Sequence, residues 1–118
     1  MDVLAQKTIM LVCTAGMSTS ILVSEMKKVA EERKDEVSIF AVSEPEAEAK
    51  VKTKPVDILM LGPQVAHLKN KFKMLGYAEG FLVEIISRQD FRTLNGEKIL
   101  DRALHVLDEG SFEEDEHV

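Results

Sequence analysis

The 118 residues hold a single cysteine, Cys13, which excludes an internal disulfide. No basic segment followed by an apolar one opens the chain, so no secretory leader is read and a cytosolic protein is expected. No apolar run approaches the roughly 20 residues that a membrane-spanning helix needs. Direct insertion into a membrane is therefore not expected, and any association with one must come through a partner. Aromatics make up only 5% of the chain, and no basic stripe interleaved with them appears. Lys27-Lys28 and Lys69 to Lys73 are local clusters in a chain of net charge -6 and pI near 5.1, which argues against a nucleic-acid partner. What is present, 45% hydrophobic and 31% charged residues, suits one globular domain with a real core.

Apolar runs of strand length alternate with helical patterns, the signature of βαβ units and a parallel sheet. Ile9 to Val12 reads as the first strand. The helix after it is expected to begin near Ser18, with Ile21, Leu22, Met26, Val29 and Ala30 on one face. Val37 to Val42 is the second strand; Ser43-Glu44-Pro45-Glu46 then has the spacing of a capping box with an early proline, opening a helix to about Lys52. Val56 to Leu61 is the third strand, closed by Gly62-Pro63. Val65, Leu68, Phe72 and Leu75 recur at helical spacing after it, with Gly76 as the expected stop. Phe81 to Ile86 is the fourth strand. Asn95-Gly96 precedes a last helix with Ile99, Leu100, Ala103, Leu104 and Leu107 on its apolar face, stopped by Gly110. Residues 1–110 are read as one domain, and the acidic stretch 111–118 as a disordered tail.

The simplest packing is a small, open, doubly wound α/β sheet of four parallel strands with helices on both faces, in the flavodoxin-like order 2-1-3-4. That order is taken by analogy. If it holds, the switch point falls between the first and third strands, and Cys13 faces Gly62, Pro63 and Gln64 across one crevice.

Cys13 stands between the first strand and a helix entrance rich in small hydroxyl residues, Thr14-Ala15-Gly16-Met17-Ser18-Thr19-Ser20. Ligands of open α/β sheets bind at the carboxyl ends of the strands, where loop amides and the positive end of a helix dipole converge on an anion. The same field is expected to lower the Cys13 thiol from about 8.5 toward neutrality and make it a nucleophile. The amides of residues 14–20 can cradle phosphoryl oxygens, with Gly16 permitting a positive φ, and Ser18, Thr19 and Ser20 add hydroxyls. A thiol phosphatase of the C-x5-R type needs arginine where this chain has Thr19, so hydrolysis should be poor and a relay of the group is favoured.

Plainer readings stand beside these. A lone cysteine ending a strand can be a small buried hydrophobe, Ser18 or Thr19 can be an ordinary helix cap, and Gly62-Pro63 can be only a turn. His67 could steer a phosphoryl group, although a solvated surface histidine is the simpler reading; His105 and His117 look incidental. Asp57 precedes the apolar part of its strand, the wrong edge for a phospho-accepting aspartate. Met10, Met26, Met60 and Met74 read as core, and Met17 as an exposed contact for a docking protein.

Three segments carry a resemblance to a known family: Ile9 to Ser20, Asp57-Ile58-Leu59-Met60-Leu61-Gly62-Pro63-Gln64-Val65, and Asn95-Gly96-Glu97-Lys98-Ile99-Leu100. The chain resembles the B component (EIIB) of the lactose, cellobiose and chitobiose class of bacterial sugar phosphotransferase systems, over nearly everything from Lys7 to Leu107. The resemblance implies the flavodoxin-like sheet and a phosphotransferase in which Cys13 takes a phosphoryl group from a phosphohistidine of the A component (EIIA). It further implies transfer to a sugar held by the membrane C component (EIIC), a β-linked disaccharide such as cellobiose, chitobiose or lactose. The protein would then be cytoplasmic and peripheral to the membrane through EIIC. No metal or other cofactor is called for. Thr14 stands where many relatives have serine, and Ala66-His67-Leu68 where many have a basic and an aromatic residue. Two other classes stay open: a phosphatase or arsenate reductase using the same cysteine loop, and a non-enzymatic regulator in which Cys13 only packs.

Overall fold

In a computed structural model, the described residues are 6–14 and 17–109, with the Met17 side chain left out. They form four parallel strands and five α-helices: β1 (Lys7–Val12), α1 (Met17–Arg33), β2 (Val37–Val42), α2 (Glu44–Thr53), β3 (Ile58–Leu61), α3 (Lys69–Glu79), β4 (Leu82–Ile85), α4 (Arg88–Arg92) and α5 (Gly96–Glu109). A 3-10 segment, Pro63–Leu68, leads into α3. The sheet order is β2-β1-β3-β4, the expected 2-1-3-4, with Ile9 opposite Ile39 on one side and Ile58 on the other.

Period-two alternation in β1 sorts the core into two layers. Ile9, Leu11 and Cys13 pack with Leu22, Met26 and Ala30 of α1 and Ile99, Leu100, Ala103 and Val106 of α5. Met10 and Val12 face the other way, against Ala47 and Val51 of α2 and Phe72 of α3. A central strand covered on both faces has no reason to be polar, which is why β1 and β3 are almost continuously apolar.

The helix boundaries follow local chemistry. Ser43 caps α2 as expected: the Glu46 carboxylate accepts its backbone N–H at 3.0 Å and its hydroxyl at 3.1 Å. These two bonds hold the Glu46 carboxyl below the usual carboxylate range. Asn95 opens α5 by accepting the Lys98 N–H at 3.1 Å.

Three expectations need correction, and one element was missed. Gly76 does not end α3 but lies buried inside it; Gly80, with φ of 88°, is the terminator. Ile21 is 42% exposed, because α1 buries the stripe through Leu22, Met26 and Ala30 and Ile21 sits about 100° around the helix from Leu22. Met74 is 73% exposed on α3, whereas Met10, Met26 and Met60 are core. Helix α4 was not anticipated at all. The expected stop at Gly110 and the acidic tail lie outside the described residues.

Asp57 has a structural task at the end of the sheet away from Cys13. Its carboxylate accepts the Thr8 N–H at 2.7 Å, while its own N–H donates to the Thr8 carbonyl at 3.0 Å. Asp57→Ala leaves the Thr8 N–H without this partner and is expected to cost about 1–3 kcal/mol, read as a lower urea midpoint at unchanged slope. Asp57→Asn, which keeps an acceptor, should lose less than half of that.

Candidate functional site

The site sits at the carboxyl edge of the sheet, where β1 and β3 run out side by side. The ladder continues just past the strands: the Cys13 N–H points to the Val42 carbonyl at 3.4 Å, Gly62 donates to Val12 at 2.9 Å, and Ile86 donates to Leu61 at 2.8 Å. These bonds fix the backbone on which Cys13 and Gly62 are presented. The two adjoin so closely that a Cβ on Gly62 would lie 3.0 Å from the Cys13 Sγ and 2.7 Å from the Gln64 Oε1. Any side chain at position 62 would crowd the sulfur, which is a reason for glycine there. The crevice between the first and third strands thus joins Cys13, Gly62 and Gln64.

Thr19 completes the surroundings of the sulfur. It lies in the first turn of α1, is only 8% exposed, and its hydroxyl reaches toward the Thr14 carbonyl at 3.5 Å. The Thr19 side chain and the Gly62 backbone lie near enough to the Cys13 sulfur to favour its charged form. Thr14, Ser18 and Ser20 are exposed around this point; Pro63 is half-buried and Gln64 exposed. Ala15 and Gly16, including the expected positive φ, lie outside the described residues, as does the Met17 side chain offered as a docking contact.

The electrostatics correct the sequence reading of the thiol. Cys13 is 4% exposed, and burial pushes its thiol above the ordinary value. The Thr19 side chain and the Gly62 backbone pull it down, but desolvation of the charged form is the larger effect. Cys13 is therefore a protected thiol in the isolated chain, not a thiolate poised at neutral pH. Slow alkylation of the free protein is expected whether Cys13 carries a group or only packs, so that reaction does not separate the relay from the inert reading.

The two histidines among the described residues stay at the surface, and His117 lies outside them. His67 is exposed on the 3-10 segment, and His105 lies 3.5 Å from Glu109 on α5. Asp57 is engaged with Thr8 far from the crevice edge. Among the described residues, no three His, Cys, Asp or Glu side chains gather where they could hold a metal ion.

What the sequence did not reveal is a cavity adjoining the crevice at Pro63 and Gln64. Helix α4, capped by the Ser87 hydroxyl accepting the Asp90 N–H at 3.0 Å, places Arg88, Phe91 and Arg92 beside Pro63 and Gln64 around a cavity of about 320 Å³. The residue types Arg-x-x-Phe-Arg after a strand were the available signal, but five residues with one apolar side chain show no helical periodicity.

Residues 8–102 match the family described as the lactose/cellobiose-specific IIB subunit of the phosphotransferase system. The chain belongs to this family. It is 37% identical over 107 residues to the galactose-specific EIIB component of Lactococcus lactis subsp. cremoris, covering 88% of this chain and 99% of the relative. The oligo-beta-mannoside-specific EIIB component of Bacillus subtilis is 33% identical over 101 residues, 86% of this chain and 96% of its own. Among solved structures, the cellobiose-specific IIB component of Borrelia burgdorferi superposes with a TM-score of 0.72 at 33% identity, over 89% of this chain and 94% of that one. The lactose-specific IIB domain of Streptococcus pneumoniae gives 0.75 at 14% identity, over 86% and 97%, a likeness of fold. This EIIB subunit is accordingly a transferase of the sugar phosphotransferase system, the role its sequence resemblance implied.

Proposed function

We propose that Cys13 is the phosphoryl carrier of this EIIB subunit. The observation that carries this reading is the setting of the chain's only cysteine: at the carboxyl edge of β1, against Gly62 and beside the buried Thr19 side chain. The donor is a phosphohistidine of an A component. The Cys13 sulfur attacks phosphorus in line, forming S–P as N–P breaks, and the proton lost by the thiol is balanced by the one the leaving imidazole takes up. In the second half, a hydroxyl of the sugar on the membrane C component attacks phosphorus; O–P forms, S–P breaks, and the proton lost by the hydroxyl is balanced by the one that restores the Cys13 thiol.

The geometry supports a relay more than a hydrolase. Thr19 occupies the place where a C-x5-R phosphatase needs arginine, and this neutral side chain is buried beside the sulfur. The exposed Thr14, Ser18 and Ser20, together with the loop amides from Thr14 to Ser20, through Ala15, Gly16 and Met17, hold the phosphoryl oxygens. Alignment within the partner complexes replaces part of the stabilisation that a cationic loop would supply. Gly62, Pro63 and Gln64 form the opposing wall. The acceptor is a β-linked disaccharide of the cellobiose, chitobiose or lactose type. The subunit works in the cytoplasm, meeting the membrane through the C component; among the described residues no helix is long and apolar enough to cross it.

The test is intact-protein mass after incubation with phosphoenolpyruvate, the general phosphotransferase proteins and a lactose/cellobiose-class A component, followed by peptide mapping. One added phosphoryl group on the peptide containing Cys13 is expected. No addition, with the A component itself shown to be loaded, would refute the reading.

A further inference from the structure

The chain has four arginines, and their surroundings divide them into two pairs. Arg33 bonds Asp101 at 2.7 Å and lies 3.3 Å from Asp35, while Arg102 bonds Glu84 at 2.6 Å. Arg88 and Arg92 join no ion pair or hydrogen bond through their side chains among the described residues, although acidic residues outnumber Lys and Arg by 21 to 15. They stand one helical turn apart on α4, so both can reach one target. Helix α4 is a fixed platform: Phe91 packs on the core layer that includes Cys13, and Ser87 caps its first turn. Asp90, the acid of that helix, lines a different cavity with Glu84 and Arg102.

Gln64 connects these arginines to the sulfur. It shares the cavity of about 320 Å³ with Arg88, Phe91 and Arg92; its Oε1 lies beside the same point near Gly62 as the Cys13 Sγ, so a half-turn of the carboxamide would bring its N–H2 group there. A carboxamide brings two N–H donors, and each guanidinium a planar fork matched to phosphoryl oxygens. Between Thr14 and Ser20 there is no lysine or arginine, so any cation at this site must enter from another element.

We propose that Arg88, Arg92 and the Gln64 carboxamide form an anion subsite that holds the oxygens of the phosphoryl group on Cys13. The inference rests on the Cys13 relay. The two guanidinium groups supply from α4 the positive charge that the cysteine loop lacks, stabilising the dianionic form of the thiophosphate and the charge spread over the transferring group.

The experiment uses the full chain with phosphoenolpyruvate, the general phosphotransferase proteins and the lactose/cellobiose-class A component, comparing wild type, Arg88→Gln/Arg92→Gln and Arg88→Lys/Arg92→Lys. The loading rate is measured, and the phosphorus-31 resonance of the loaded protein is titrated with pH. Both variants alter exposed side chains and should melt with wild type. In the glutamine variant, loading at saturating donor should fall at least tenfold and the phosphorus titration midpoint should rise by about one unit, since a neighbouring positive charge favours the dianion. The lysine variant should recover most of the midpoint. An unchanged midpoint overturns the subsite. A rise in the KM for the A component alone also overturns it and assigns the arginines to protein docking. Failure of wild type to load from a phosphorylated A component defeats the relay reading itself.

Discussion

Cys13→Ser should accept no phosphoryl group under conditions where the wild type gains one, a loss without measurable residue by intact mass. A serine hydroxyl at this place has no accessible anion, whereas the thiol, although raised by burial, still gives some thiolate near neutral pH. The replacement should fold. Thr19 and Gly62 already lie beside the sulfur, so a buried hydroxyl in its place finds the same groups, and a loss of only about 1 kcal/mol is expected. Phosphoryl transfer to Cys13→Ser would place the carrier elsewhere. Two pH effects belong to the same thiol. Loading of the wild type should steepen toward about tenfold per pH unit above neutrality, as the thiolate fraction grows. Because the thiol value is raised in the folded chain, its stabilisation is complete below the unfolded value of about 8.5 and is lost as pH rises through the folded one. Thermal melts at alkaline pH should therefore fall more steeply for wild type than for Cys13→Ser.

How much of this could be read from the sequence depended on which residues decide. The strands were legible because β1 and β3 are buried on both faces, so Ile9 to Val12 and Ile58 to Leu61 are unbroken apolar runs. Their order was not in those runs, since any central strand looks alike; it came from analogy and is the order found. The pairing of Cys13 with Gly62 followed from that order alone. The state of the thiol did not, because desolvation is set by what α1 and β3 lay over Cys13, and a helix-dipole argument on the local sequence omits it. Helix α4 escaped because Phe91 is its single core contact. With it went Arg88 and Arg92, which line a cavity with Pro63 and Gln64. Ile21 was misplaced because an apolar residue at approximate helical spacing can lie outside the buried stripe by a single position, and Met74 because it was read as core from its residue type alone.

The choice between Gly76 and Gly80 as the end of α3 shows the same limit and yields the second large effect. By helix propensity alone, Gly76→Ala inside α3 should stabilise by about 1 kcal/mol. The structure reverses the sign. A Cβ at Gly76 would lie 2.4 Å from the Phe81 carbonyl oxygen and 3.3 Å from the Phe81 ring carbons Cδ1 and Cε1. The closest atom is backbone, and it cannot move alone: the Phe81 N–H is bonded to the Gly76 carbonyl at 3.1 Å, and the next residue begins β4. Relieving the contact means shifting the end of α3 against the sheet, an overpacking cost of about 3 kcal/mol. Net destabilisation of about 2 kcal/mol is expected, seen as a fall in Tm of roughly 10 °C. Gly80→Ala is the control. Its Cβ would meet nothing within 4 Å, yet φ of 88° strains any side chain, so a smaller loss of about 1 kcal/mol should follow. If Gly76→Ala instead raised the Tm, propensity would have won and the close approach of α3 to Phe81 could not be as tight as described. Loading of Cys13 at a temperature where both variants are folded should match wild type, because the clash lies in the α2 and α3 layer, while Cys13 packs with α1 and α5 on the other face of the sheet.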